Sequence, residues 1–185
     1  MLKPNARGTK DVAALNCAPA ERKAIVTAAA VWEQVRRLLP KAAIGLAPRT
    51  TTLVNLQTIM WVDAQRQQDL PTVTIFGKRV TVHIGLTAVR WDFGDDDTDD
   101  ADSPGKPYDK VHDPCAKKLC PDYYGHTYLR TGSMTITATA SYHATFRVAG
   151  GPVVDIPGGI DGPTAAATIV VHEARAVLVP DPTPN

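Results

Sequence analysis

Hydrophobic and polar positions alternate most regularly near the end of the chain. Met134, Ile136, Ala138, Ala140, Tyr142, Ala144, Phe146 and Val148 are apolar, and the residues between them are Thr, Thr, Thr, Ser, His, Thr and Arg. A period of two held this long predicts an extended strand with one buried and one wet face. The same alternation runs through Val80, Val82, Ile84 and Leu86, then changes parity at Val89, Trp91 and Phe93. A one-residue slip sends every side chain to the opposite face, so a turn or bulge is expected near Thr87. Further strands are predicted at Thr51–Val62, Thr72–Phe76 and Thr168–Val179. Asp63–Asp69 is polar and predicts a loop. Gly77-Lys78 predicts a turn, and Gly150-Gly-Pro, Pro157-Gly-Gly and Gly162-Pro punctuate a loop before the last strand.

One segment has helical period instead. Residues 20–39 contain no Gly or Pro and are rich in helix formers. Ile25, Ala28, Ala29, Trp32, Val35, Leu38 and Leu39 recur at spacings of three and four, which predicts an apolar stripe. Glu21 favours the start, Arg36 and Arg37 favour the end, and Pro40 stops the helix. The expected organisation is therefore an extended arm (1–18), an amphipathic helix (19–40), a mainly β, antiparallel sandwich (50–179) and a Pro-rich tail (180–185). The helix's apolar stripe must cover the sandwich or dock on a partner chain.

Composition adds exclusions more than assignments. With 185 residues, 44% hydrophobic and 21% charged, the chain is an ordinary globular one, and its net charge of +1 predicts no nucleic-acid surface. No apolar run approaches the ~20 residues that span a bilayer, so no membrane insertion is expected. The polar start, Met-Leu-Lys-Pro-Asn, has no signal-peptide core. Seven aspartates crowd between Asp92 and Asp102. There Asp95, Asp97 and Asp99 have the alternation of a calcium loop, but lack its glycine and closing glutamate. Calcium is the cofactor this loop suggests; the plainer reading is a solvated loop.

The cysteines are Cys17, Cys115 and Cys120. A loop-closing Cys115–Cys120 disulfide is the simplest reading and favours an oxidising compartment, with Cys17 left over. The alternative is zinc on His112, Cys115, Cys120 and His126, at spacings that match no familiar finger. Carbohydrate binding would need exposed aromatic faces, for which Tyr108, Tyr123 and Tyr124 are the loop candidates; Trp32, Trp61 and Trp91 occupy apolar positions and read as core. Asp92 and Asp95 resemble paired catalytic carboxylates, but at a strand end they more simply accept backbone N–H bonds. No nucleophile–base order stands out, and no enzyme is expected.

Val89-Arg-Trp-Asp-Phe-Gly-Asp95, the His126-Thr-Tyr128 corner, Gly132 and the long strand that follows resemble the hallmark of PKD-type domains, immunoglobulin-like β-sandwiches found mostly outside cells. The resemblance covers roughly Pro71 to Val148. It marks Trp91, Asp92, Phe93, Gly94, Asp95, His126, Thr127 and Tyr128 as the fold motif. It implies that Tyr128 bonds back to the main chain as a tyrosine corner. A wider pattern is similar to secreted or surface-anchored proteins of high-GC Gram-positive bacteria. It comprises Ile44-Gly-Leu-Ala-Pro48, Leu53-Val-Asn-Leu-Gln-Thr-Ile-Met-Trp61, Gly105-Lys-Pro-Tyr108, Gly125-His-Thr-Tyr128 and Val148-Ala-Gly-Gly151. Gln57 stands where that pattern has Pro, and Asp96 where it has Gly. The nucleotide-binding label sometimes given to such proteins has no phosphate-binding loop to support it here. The resemblance implies a non-catalytic interaction or structural module of an extracellular or cell-surface assembly, with protein partners and a capacity to oligomerise. Two alternatives remain: an adhesin-like domain binding carbohydrate or a calcium-dependent ligand, and a decorating component of a virion or injection particle.

Overall fold

The computed structural model describes residues 25–115 and 119–174. The arm, Cys17, the segment expected to start the helix and the tail after Ala174 lie outside these residues. In order the elements are α1 (Ala28–Leu38), β1 (Ile44–Ala47), β2 (Thr51–Leu53), β3 (Gln57–Val62), β4 (Gln67–Asp69), β5 (Val73–Ile75), β6 (Lys78–Asp92), β7 (Thr98–Ala101), β8 (Gly125–Thr127), β9 (Gly132–Val148), β10 (Val154–Asp161) and β11 (Ala165–His172).

Two long strands form the spine. β6 and β9 pair antiparallel from Val80 opposite Val148 to Asp92 opposite Thr137. Their register shifts between Leu86 and Ala88, the bulge that the parity change requires, and Thr87 there donates to the Ser141 carbonyl. Beyond β6, the edge is shared by β4, β5 and β7; beyond β9, by β10 and β11, with β2 parallel to β11. A smaller sheet, β1-β3-β8, faces the half of the large sheet that holds Trp91 and Ile136. Helix α1 packs on β10 and β5 and covers the other half. The fold is a β-sandwich whose second layer is part sheet and part helix. Its core contains Val82, Ile84, Trp91, Ile136, Tyr142, Phe146, Ile169 and Met60, all essentially out of solvent.

The helix is shorter and turned relative to expectation. Thr27 caps it, its hydroxyl accepting from Ala30 N–H at 3.3 Å, and Ile25–Thr27 are not helical. Of the expected stripe Val35 and Leu39 are buried, in a row with Val31, whereas Ile25 and Ala29 are exposed and Trp32 is half-buried. These three residues recur every four positions, one narrow line along the helix toward β10 and β5. Arg36 and Arg37 do occupy the last turn.

Three other expectations change. Thr51–Val62 is two strands in different sheets, because Val54–Leu56 turns with Asn55 at φ 61°, and the buried hydroxyls of Thr52 and Thr58 bond at 3.0 Å across the fold. Within Asp63–Asp69, β4 pairs its polar Gln67–Asp69 with β6. The Gly- and Pro-punctuated stretch after β9 holds β10, whose register shift around Pro157-Gly-Gly lets Ile156 and Ile160 both reach the core.

Candidate functional site

The residues of the Trp-Asp-Phe-Gly-Asp and His-Thr-Tyr motifs meet at one end of the sandwich. Trp91 is fully buried and stacks with Tyr124 (ring centroids 5.4 Å apart) and Phe93 (6.4 Å). The β6–β7 turn is closed by Phe93 N–H to the Asp97 carbonyl (3.1 Å), by Gly94 N–H to Asp92 Oδ1 (2.9 Å) and by Thr98 N–H to Asp97 Oδ1 (3.1 Å). Gly94 takes φ 78° with its α-carbon against Thr135, where a Cβ would stand 2.6 Å from the Thr135 carbonyl oxygen. Only glycine satisfies both conditions.

Asp95 leaves this turn pointing inward. Its Oδ2 lies 2.8 Å from His126 Nε2, with 12% of each side chain exposed. The His126 ring stacks flat on Phe93 at 4.0 Å and meets Tyr128 edge-on at 4.8 Å. Tyr128, wholly buried, donates its hydroxyl to the Phe93 carbonyl at 3.2 Å, a bond to main chain 35 residues upstream rather than the local one of a tyrosine corner. Burial pushes its phenol well above the ordinary value, and the Asp95 charge adds to that. Arg130 closes the group from outside, donating to the Asp95 carbonyl (3.0 Å) and approaching Asp96 Oδ2 (3.4 Å).

The acidic segment does not gather into one ligand set. Asp95 faces His126 and Asp97 bonds its neighbour's N–H. Asp99 Oδ2 accepts from Tyr124 at 2.8 Å, while Asp100 pairs with Arg90 across the strands at 3.4 Å. Four residues of the run, Thr98–Ala101, form β7, paired with β6. The pattern Thr-Asp-Asp-Ala holds no apolar alternation that could announce this strand. Among the described residues no group of three His, Cys, Asp or Glu side chains could hold a metal ion. The calcium set Asp95, Asp97 and Asp99 is thus not brought together. Nor is the zinc set: Cys115 and Cys120 form a disulfide (Cα–Cα 5.8 Å), His112 pairs with Asp109 at 2.8 Å and His126 with Asp95.

The disulfide staples a loop over the outer face of β3. Ile59, Cys120 and Tyr123 form a second small core there, with Tyr108 set edge-on to Tyr123 at 5.4 Å. Tyr123 OH donates to the Asp113 carbonyl (2.8 Å) and accepts from Asp109 N–H (3.2 Å); Lys106 sits over its ring and bonds Asp113 at 2.7 Å. That Lys106 bond holds the Asp113 carboxyl below its usual range, and the His112 N–H does the same for Asp109. Gln57, the residue in place of Pro, anchors the loop with both ends of its amide, accepting from Cys120 N–H and donating to the Tyr123 carbonyl. Of the three tyrosines considered for carbohydrate stacking, Tyr123 is buried, while Tyr124 and Tyr108 are half-buried and pack on Trp91 and Tyr123 respectively.

What stays open is the outer face of the large sheet. A shallow trough of about 540 Å³ there is lined by Arg90, Asp92, Thr98, Asp100, Thr137 and Thr139. Among the described residues no helix is long and apolar enough to cross a membrane. The fold and its closed motif end define a disulfide-stapled β-sandwich domain. No protein-family model, curated protein or solved structure matches the chain.

Proposed function

We propose that this chain is a non-catalytic, PKD/Ig-like sandwich module serving as a structural or interaction unit of an extracellular or surface assembly. One observation carries the reading. The side chains of the motif end that could do chemistry (Asp95, His126 and Tyr128) bond one another or the backbone and are largely withdrawn from solvent, so they brace the fold. The Cys115–Cys120 disulfide favours an oxidising compartment. Three edge strands of the large sheet are blunted against indiscriminate pairing: β7 is acidic, β10 carries Pro157 and a bulge, and α1 lies over β5. Contacts with partners are therefore selective.

Ligand recognition is the second reading, favoured by the open trough beside Arg90 and Asp100, whose mixed donors and acceptors suit a hydroxyl-rich ligand. Light scattering with and without reductant and calcium tests the first reading. A defined oligomer supports assembly. A monomer that binds glycan through Arg90 and Thr137 replaces it with the second.

A further inference from the structure

A lateral groove runs between the edge of β1 in the small sheet and the edge of β11 in the large one. β1 is the terminal strand of its sheet. Just before it, Asp63 N–H bonds the Ala43 carbonyl at 2.8 Å, which makes Ala43 and Asp63 a hydrogen-bonded pair. Antiparallel alternation then turns the N–H and C=O of Gly45 and Ala47 toward β3 and those of Ile44 and Leu46 outward. Across the gap, β2 covers β11 only at Val170–His172, so Ala165–Ile169 has no strand on that side among the described residues. Between the two edges runs a groove of about 340 Å³ lined by Ile44, Leu46, Arg49, Trp61, Ala167 and Thr168. Its wall is fixed: the Trp61 indole lies across Gly45, where any Cβ would stand 2.0 Å from Cε2. At its mouth Arg49 is exposed and makes no ion pair among the described residues.

We propose that this groove receives an extended segment as an added strand, and that the occupant is residues 176–181 of a second copy of this chain, Ala-Val-Leu-Val-Pro-Asp. The inference rests on the assembly reading above and names the partner. The segment's chemistry matches the groove. Ala176, Val177, Leu178 and Val179 are four consecutive apolar residues, half of them β-branched, equal in number to the residues of β1. Pro180 has no N–H and ends the pairing, and Asp181 brings a carboxylate to Arg49. A second copy is required because β2 occupies the edge of β11 at Val170–His172. Tail-in-groove pairing joins different surfaces of the two copies, so successive chains associate head to tail.

The test is the solution mass of the full chain against concentration, by analytical ultracentrifugation, for the natural sequence, Arg49→Asp, Asp181→Arg and the double exchange. The natural chain is expected to associate. Each single reversal weakens association by about tenfold, because like charges then meet, and the double exchange restores it. An excess of synthetic peptide spanning residues 175–185 dissociates the assembly and shifts the amide resonances of Ile44 and Leu46. Unchanged thermal unfolding of the Arg49 variant verifies its fold. Association indifferent to all variants and to the peptide overturns the tail-in-groove inference and leaves the assembly reading on another surface. A chain monomeric at every concentration overturns both.

Discussion

His126 and Asp95, on opposite sides of the sandwich's motif end, meet at 2.8 Å with 12% of either side chain exposed. Phe93 covers one face of the imidazole and Tyr128 its edge, so water cannot replace a lost partner. Removing one partner leaves the other's polar group buried and unpaired, which costs more than the pair contributes. His126→Ala and Asp95→Ala are each expected to destabilise the fold by about 3 kcal/mol. Urea denaturation of the two single variants and the double checks this: the double variant should cost clearly less than the sum.

Gly94 and Gly77 provide a controlled comparison. Both have positive φ, 78° and 73°, yet a Cβ on Gly77 meets nothing within 4 Å, while one on Gly94 meets Thr135 backbone at 2.6 Å. Gly77→Ala should therefore cost only the left-handed conformation, about 1 kcal/mol. Gly94→Ala must in addition separate β6 from β9 locally and should cost at least about 3 kcal/mol. Equal shifts in denaturation midpoint for the two would contradict the close packing of the turn on β9.

Both long strands could be read from the sequence because their burial is one-sided, and period two is what one-sided burial writes. Even the bulge at Thr87 follows from parity. At the motif end the contacts of His126 with Asp95 and of Tyr128 with Phe93 span more than thirty positions, so no local period announces them and only the residue types of the two motifs stand out. Two strands leave no such trace: β7 is dominated by Thr and Asp, and β10 interrupts its alternation with Pro157-Gly-Gly between its two buried isoleucines. The helix face was misjudged because Val31 and Trp32 are adjacent apolar residues and only tertiary packing decides which turns inward. Gln57 gave no local signal, since its partners lie more than sixty positions away.

Calcium at millimolar concentration is expected to leave the melting temperature unchanged within about a degree. A divalent ion stabilises only by binding the folded state better than the unfolded one. Asp95 and Asp99 would first have to give up His126 and Tyr124, and the carboxylates of Asp95, Asp97 and Asp99 do not converge. A rise of several degrees in differential scanning calorimetry would contradict this arrangement.

Alkaline pH should unfold the protein abruptly. Burial raises the phenols of Tyr124, Tyr128 and Tyr142; Asp99 adds to the first and Asp95 to the second. With folded values above unfolded ones, their contribution is complete below the unfolded value of about 10 and is lost as pH rises beyond it. Above that pH the unfolded chain releases protons that the folded chain retains, so stability falls. Phenolate absorbance from these three should appear together with loss of circular dichroism, as one transition. Gradual ionisation of all three in a folded protein would contradict their burial.

Reduction of Cys115–Cys120 tests whether the stapled loop is a separate cooperative unit. The ring is small, so its entropic contribution is about 2 kcal/mol. Its location matters more than its size: Cys120 belongs to the small core of Ile59 and Tyr123 on the outer side of β3, away from the cluster around Trp91 and Ile136. Gln57 holds the same loop from β3 at Cys120 and Tyr123, so the loop loosens toward β3 when the staple opens. Hydrogen exchange of reduced protein should quicken at Cys120–Tyr124 and in Ile59 while β6 and β9 remain protected. Uniform quickening would mean that the loop and the sandwich unfold together and that the staple supports the whole domain. Selective quickening makes the loop an independently opening flap over a fold that stands without it.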